Sequence, residues 1–311
     1  MMHNVDMSVW QGRVDDEGPR ALRWHQCVTA LDGEKPAGVA LLGFACDAGV
    51  KRNHGRAGAA EAPQAIRRIL AGQPWHIGVA VYDAGDVFCH DDALEEAQER
   101  LSAAVEKLLS GKHFPVVLGG GHEIAFGSFC GLAKYLGKPA VPPSIGIINF
   151  DAHLDMRQSK LASSGTPFMQ IERECAARGW SFNYMCVGMS ETANTAGLID
   201  HARGCGTQIL LDEEVQPWML PTSLERLQSF IDACEMIYLS IDMDVLPACQ
   251  APGVSAPAAY GVPLASLEPL IDRIRASGKL RLVDLAEFNP SFDQQHITAR
   301  VVARLIHRLV R

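Results

Sequence analysis

Eight short apolar runs punctuate the chain, and amphipathic stretches fill the intervals. The runs predict strands near residues 38–46, 77–83, 114–119, 144–150, 183–188, 207–212, 236–242 and 281–287. Between them, apolar residues recur at helical spacing over 62–71, 93–109, 124–136, 167–178, 223–234, 264–276 and 298–310. Strands that alternate with helices predict a parallel sheet covered on both faces. Several boundaries carry chemical marks: Pro63 suits a first helical turn, Pro221-Thr222-Ser223 with Glu225 reads as a helix start, and Gly278 suits a helix end. Pro142-Pro143 and residues 251–257 read as loops, and no internal repeat is visible. The segment before the first run, with Trp10, Gly12, Arg13, Asp15, Asp16, Arg20 and His25, is polar and weakly periodic. It reads as an N-terminal arm, 1–37, that packs across the body or against a subunit partner.

Three of the apolar runs stop at clusters of metal-ligating residues. Phe114-Pro115-Val116-Val117-Leu118 leads into Gly119-Gly120-Gly121-His122-Glu123. The run 145–150 leads into Asp151, His153 and Asp155, and the run 236–241 into Asp242 and Asp244. In open α/β sheets, ligands gather outside the carboxyl ends of the strands. Alternation along an extended chain would project Asp151, His153 and Asp155 to one side, and Asp242 with Asp244 likewise. Taken singly, an Asp-x-Asp after a strand is a cap or a solvated turn, and a His after glycines is an ordinary polar residue. Taken together, His122, Asp151, His153, Asp155, Asp242 and Asp244 form one pocket of four carboxylates and two imidazoles. With no thiolate, that set suits hard or borderline divalent ions such as manganese rather than a structural zinc. The glycine run lacks the ending of a phosphate loop and the spacing of a dinucleotide fingerprint. It is read as letting the backbone approach the metals closely.

Composition narrows the classes. A chain of 311 residues with 48% hydrophobic content can bury one large core, so a single domain over 1–311 is expected. A formal net charge of −8 argues against a general nucleic-acid binder, which needs a basic face. Nine cysteines without paired spacing read as reduced residues of a cytoplasmic protein. Residues 1–12 hold no long apolar run, so neither a secretory signal nor a membrane partner is expected.

Four blocks then resemble, in order and spacing, the signatures of the ureohydrolases (arginase, agmatinase, guanidinobutyrase and formimidoylglutamase): GGGHE at 119–123, FDAHLD at 150–155, SIDMDV at 240–245 and DLAEFNP at 284–290. The resemblance implies a three-layer α/β/α fold with a central, mainly parallel eight-stranded sheet. It also implies a binuclear centre with two manganese ions per chain, bridged by Asp151 and Asp242. His122 and Asp155 complete one metal, and His153 and Asp244 the other. Asp155 and Glu287 are the catalytic candidates, Glu287 steadying the positive nitrogen of an amidine attacked by metal-activated water. The family tends to assemble, so a homo-oligomer is in view.

Substrate choice rests on other positions. Arginase-like members carry a His soon after the second block, whereas no His lies between His153 and His201 here. The loop Ser163-Ser164-Gly165-Thr166-Pro167-Phe168, together with Arg157, Trp10-Gln11-Gly12-Arg13 and the stretch 49–56, resembles the formimidoylglutamase branch. That branch implies N-formimidoyl-L-glutamate, cleaved to L-glutamate and formamide in histidine degradation. Two substrate carboxylates call for cations that grip planar anions, and Arg157 and Arg56 are the candidates. Arg157 could instead pair with a surface acid, and Arg56 cap a helix. Asn53 reads the substrate or stabilises a turn, and Thr166 hydrogen-bonds substrate or orders its loop. The rivals are another ureohydrolase that releases urea, such as a guanidinobutyrase or agmatinase, a non-catalytic metal-binding member of the fold, and a single-metal amide hydrolase.

Overall fold

The computed structural model describes residues 5–18 and 20–311; residues 1–4 and 19 of the expected arm lie outside them. The strands are β1 (Thr29–Ala30), β2 (Val39–Ala45), β3 (Val81–Phe88), β4 (Phe114–Leu118), β5 (Ile145–Phe150), β6 (Asn183–Met189), β7 (Gln208–Leu211), β8 (Met236–Asp242) and β9 (Leu280–Ala286). The helices are α1 (Trp24–Cys27), α2 (Ala48–Arg52), α3 (Ala62–Ala71), α4 (Leu94–Ser110), α5 (Ile124–Leu136), α6 (Pro167–Arg178), α7 (Ala196–Gly204), α8 (Leu220–Asp232), α9 (Leu264–Ala276) and α10 (Ile297–Val310). Among the described residues no helix is long and apolar enough to cross a membrane.

Nine strands form one sheet in the order β1-β3-β2-β4-β9-β8-β5-β6-β7, and every pairing is parallel. Runs such as Ile145–Phe150 are apolar on both faces because helices cover both. Val116, Leu118, Ile148, Phe150, Leu239 and Ile241 join the core beneath α3, α8, α9 and α10. Val117, Ile145, Ile147 and Tyr238 face the opposite core beneath α4, α5, α6 and α7. The result is the expected three-layer α/β/α sandwich.

The expected count of eight strands is corrected to nine by β1, which lies within the arm. Two residues are too few to leave a periodic signal, and only pairing with β3 makes them a strand. The second strand also begins four residues later than expected and runs on to Phe88. Its acids Asp83 and Asp86 look like a strand end in sequence, but Arg67 on α3 pairs with both, at 2.7 and 2.6 Å. The same Asp83 accepts a hydrogen bond from Trp10 Nε1 at 2.7 Å, and the buried Trp24 packs edge-on against Trp75. The described part of the arm therefore packs on the body of the same chain.

Candidate metal centre

Parallel pairing puts all carboxyl ends of the strands at one edge of the sheet. The four strands that carry the chemical blocks are neighbours there, β4, β9, β8 and β5 in that order. Their ends are also in register: Leu118 lies beside Leu285, Ala286 beside Asp242, and Ile241 beside Phe150. His122, Glu287, Asp242 with Asp244, and Asp151 to Asp155 thus rise from adjacent positions along one rim.

The ligating atoms of His122, Asp151, Asp155 and Asp242 lie within 4.8 Å of one another, and those of Asp151, His153 and Asp244 form a second such group. Nδ1 of His122 is 3.1 Å from Asp151 Oδ2, 2.9 Å from Asp155 Oδ2 and 3.1 Å from Asp242 Oδ2. Nδ1 of His153 is 3.4 Å from Asp151 Oδ1 and 3.1 Å from Asp244 Oδ2. Asp151 is therefore common to both groups, one oxygen turned to each. Asp242 joins the first group only, so its role as a second bridge has no matching geometry here.

The route by which these side chains converge differs from simple alternation. β5 stops at Phe150, and Asp151 Oδ1 then accepts the backbone N–H of His153 at 2.6 Å. Asp155 takes a left-handed φ of +46°. β8 ends on Asp242, whose Oδ1 accepts the N–H of Asp244 at 2.7 Å as the chain turns into a short 3₁₀ segment. Asp151 and Asp242 thus each fold their own loop, an Asx turn, and turn the other oxygen toward His122. The glycines before His122 also serve a different purpose from the expected one. Gly119 and Gly120 have φ of +75° and +82°, and a Cβ on Gly120 would lie 2.7 Å from the carbonyl oxygen of Phe44. They let the chain cross β2, not approach the ligand atoms.

The donor set fits divalent cations on three observations. Ser240 donates to Asp284 Oδ1, so at its 2.9 Å contact with His122 Nε2 it must accept, and that nitrogen carries the proton. Nδ1 faces three carboxylates, whose proximity holds the imidazole well above its usual value, yet among the described residues it has no hydrogen-bond partner; Asp244 Oδ1, in the second group, has none either. Burial, reinforced by the charges of Asp244 and Asp151, pushes Asp242 well above the usual carboxylate range. Asp155 is raised by burial and by Asp151. An unsatisfied imidazole nitrogen and acids crowded together in the interior are what bound cations relieve.

Behind these atoms stands a polar layer that sequence reasoning did not single out. Asn149 donates to Asp151 Oδ2 at 2.9 Å and to Tyr184 Oη at 3.0 Å, while Tyr184 donates to the carbonyl of Leu154. Ser240 and Asp284 orient His122, and Tyr238 also donates to Asp284. The signal was present in each case as a polar residue inside an otherwise apolar central strand.

Glu287 ends at the same rim with φ of +62°, and its Oε1 accepts the backbone N–H of His122 at 3.0 Å. Burial, followed by the charge of Glu123, pushes its carboxyl up to about 8. Two residues beyond Asp155, Arg157 enters the wall of a cleft of about 770 Å³ whose lining also includes Asn53, Ser163, Thr166, Thr195 and His201 but none of the six ligand candidates. A second of about 670 Å³ reaches His153, with Glu191, Asp212 and Tyr260 in its wall. Arg157 is exposed and has no acidic partner among the described residues; its stem packs over Gly165, as does Asn53. Asn53 Nδ2 donates to Ser164 Oγ at 3.2 Å. Thr166 is fully buried and closes its own loop, its hydroxyl accepting from Ser163 N–H at 2.9 Å. Arg56 is placed elsewhere. Its guanidinium donates to the carbonyls of Ser255 and Val254 and lies over the Phe292 ring at 4.1 Å, which anchors the 254–255 loop.

Comparison with known proteins adds to this geometry. The model of the arginase family matches residues 37–311. A formimidoylglutamase from Aeromonas hydrophila is 56% identical over 99% of this chain and 98% of its own length. The crystal structure of formimidoylglutamase from Bacillus subtilis superposes with a TM-score of 0.83 at 23% identity, covering 95% of this chain and 93% of that one. A structure of Trypanosoma cruzi formiminoglutamase with Mn2+ gives a TM-score of 0.77 at 26% identity, covering 89% and 94%.

Proposed function

This chain belongs to the arginase family, and from that premise we propose that its centre holds two manganese ions and hydrolyses N-formimidoyl-L-glutamate to L-glutamate and formamide. The observation that carries the metal part is the shared Asp151, whose two oxygens face the two histidine-containing groups. His122, Asp155 and Asp242 would hold one ion with Asp151, and His153 and Asp244 the other. Bound there, the pair supplies Lewis acidity that brings the ionisation of a water close to neutral pH. The substrate part is supported by the formimidoylglutamase relative at 56% identity.

The chain's own residues supply the rest of the chemistry. Ser240 keeps Nε2 of His122 protonated and its Nδ1 turned inward. Glu287, held by the His122 N–H, sets its carboxyl group beside the centre, where it can pass a proton to the departing glutamate nitrogen and then balance the positive charge that develops there. In the Arg157 cleft that residue, without an acidic partner among the described residues, offers a planar cation to a carboxylate, and Asn53 offers an amide beside it. Thr166 acts through the shape of its loop. The cysteines are unpaired, which supports a reducing, cytoplasmic compartment.

Manganese-loaded enzyme assayed in parallel on formimidoylglutamate, agmatine, arginine and guanidinobutyrate tests the reading. Formamide from the first is expected, with little or no urea from the others. Urea release as the faster reaction would replace this reading with a guanidinium hydrolase. Arg157→Ala is expected to raise KM for formimidoylglutamate by about 10- to 100-fold while kcat changes much less, the pattern of a lost anchoring contact. An unchanged KM would reduce Arg157 to a surface residue.

A further inference from the structure

One buried acid beside the centre has no part in the chemistry above. Glu123 follows His122 directly and is fully buried. Its Oε1 accepts the backbone N–H of Gly49 at 2.8 Å and the thiol of Cys46 at 3.5 Å, while Oε2 has no hydrogen-bond partner among the described residues. Burying a carboxylate with one oxygen unsatisfied opposes folding. Folding by itself gives no reason for an acid at this position.

Two glycines are shaped around it. A Cβ on Gly49 would lie 2.5 Å from the Glu123 carboxyl carbon, and one on Gly121 would lie 2.2 Å from Oε2. Neither glycine has a positive φ, so both are present for space rather than for backbone freedom. The carboxylate thus fills a slot that two elements keep open for it.

Gly49 lies in the first turn of α2, and a short relay continues from there. Its carbonyl accepts the N–H of Asn53 at 2.9 Å, and Asn53, which lies in the wall of the Arg157 cleft, is held there by its Nδ2 donating to Ser164 Oγ. A single helical turn therefore connects the residue after His122 to an amide in that cleft. We infer that Glu123 is a positioning residue, which locks the helix bearing Asn53 to the strand end bearing His122 and so sets the spacing between the metal centre and the substrate-gripping cleft. The inference rests on the cleft assignment made above.

Kinetics and metal content of the manganese-loaded enzyme test it. Glu123→Ala is expected to raise KM for formimidoylglutamate about tenfold, with kcat and bound manganese within about threefold of the parent, because misplacing an anchor costs orientation rather than chemistry. Glu123→Gln keeps a carbonyl acceptor for the Gly49 N–H and should restore most of the loss. If Glu123 acts through Asn53, adding Asn53→Ala to Glu123→Ala costs less than the two single effects combined. Full additivity, an unchanged KM in Glu123→Ala, or a loss of manganese with KM intact would overturn the inference. An unchanged KM in Asn53→Ala alone would instead overturn the cleft assignment. Should Glu123→Ala not fold, Gly49→Ala drives a methyl against the same carboxylate, and the same rise in KM is expected; an unaltered KM there counts against the inference.

Discussion

Asp151→Ala is expected to leave the protein without measurable turnover and without a paired metal centre. Its two oxygens face His122 and His153 separately, so the truncation removes a ligand from both groups at once. Loss of a residue that merely supports a ligand costs about 10- to 100-fold in affinity or activity, and loss of a shared ligand should exceed that. Asp151→Asn preserves the volume and the turn that accepts the His153 N–H, so it separates ligation from folding. Metal analysis after gel filtration, alongside kcat, is the measurement. Two tightly held ions together with full turnover in Asp151→Ala would remove the basis for a shared carboxylate.

Glu287→Gln is expected to lower kcat by about 10²- to 10⁴-fold, the usual contribution of a positioned acid or base, while manganese content stays the same. The substitution is nearly isosteric, and its amide oxygen can still accept the His122 N–H. What disappears is the capacity to give up and take back a proton. A non-glycine residue in the left-handed region is energetically disfavoured and persists where the surroundings enforce it. At Glu287 the backbone N–H donates to Gly120 O and the side chain accepts from His122, which provides that enforcement. A Glu287→Gln enzyme with parental kcat would show that the amidine is steadied by another group.

Much of this architecture could be read before any coordinates, and the reason is local. Periods of 2 and 3.6 residues belong to the segment that bears them, so α3, α5, α6 and α9 begin and end where their patterns do. Shorter elements carry too few repeats for a pattern, and β1, α1, α2 and α7 carried no signal. α7 depends on a cap, the Thr195 hydroxyl accepting from Leu198 N–H. α2 depends on packing around Glu123. At the strand ends, six metal-ligand candidates stood out because polar residues interrupt apolar runs there. Ser240 and Asp284 also interrupt apolar runs, but a single polar residue inside a strand does not reveal which partner it meets across the sheet.

The amino-acid order alone determined which side chains were available, that they stand at the ends of strands, and that the strands are parallel, since each of these follows from neighbours in the chain. Only the tertiary structure decided that β4, β9, β8 and β5 lie side by side, that Asp151 turns one oxygen to each histidine, and that Arg56 is occupied with a loop while Arg157 meets no acid among the described residues. Those outcomes depend on contacts between residues far apart in sequence, where packing and hydrogen-bond saturation select one arrangement among several that the same local patterns permit.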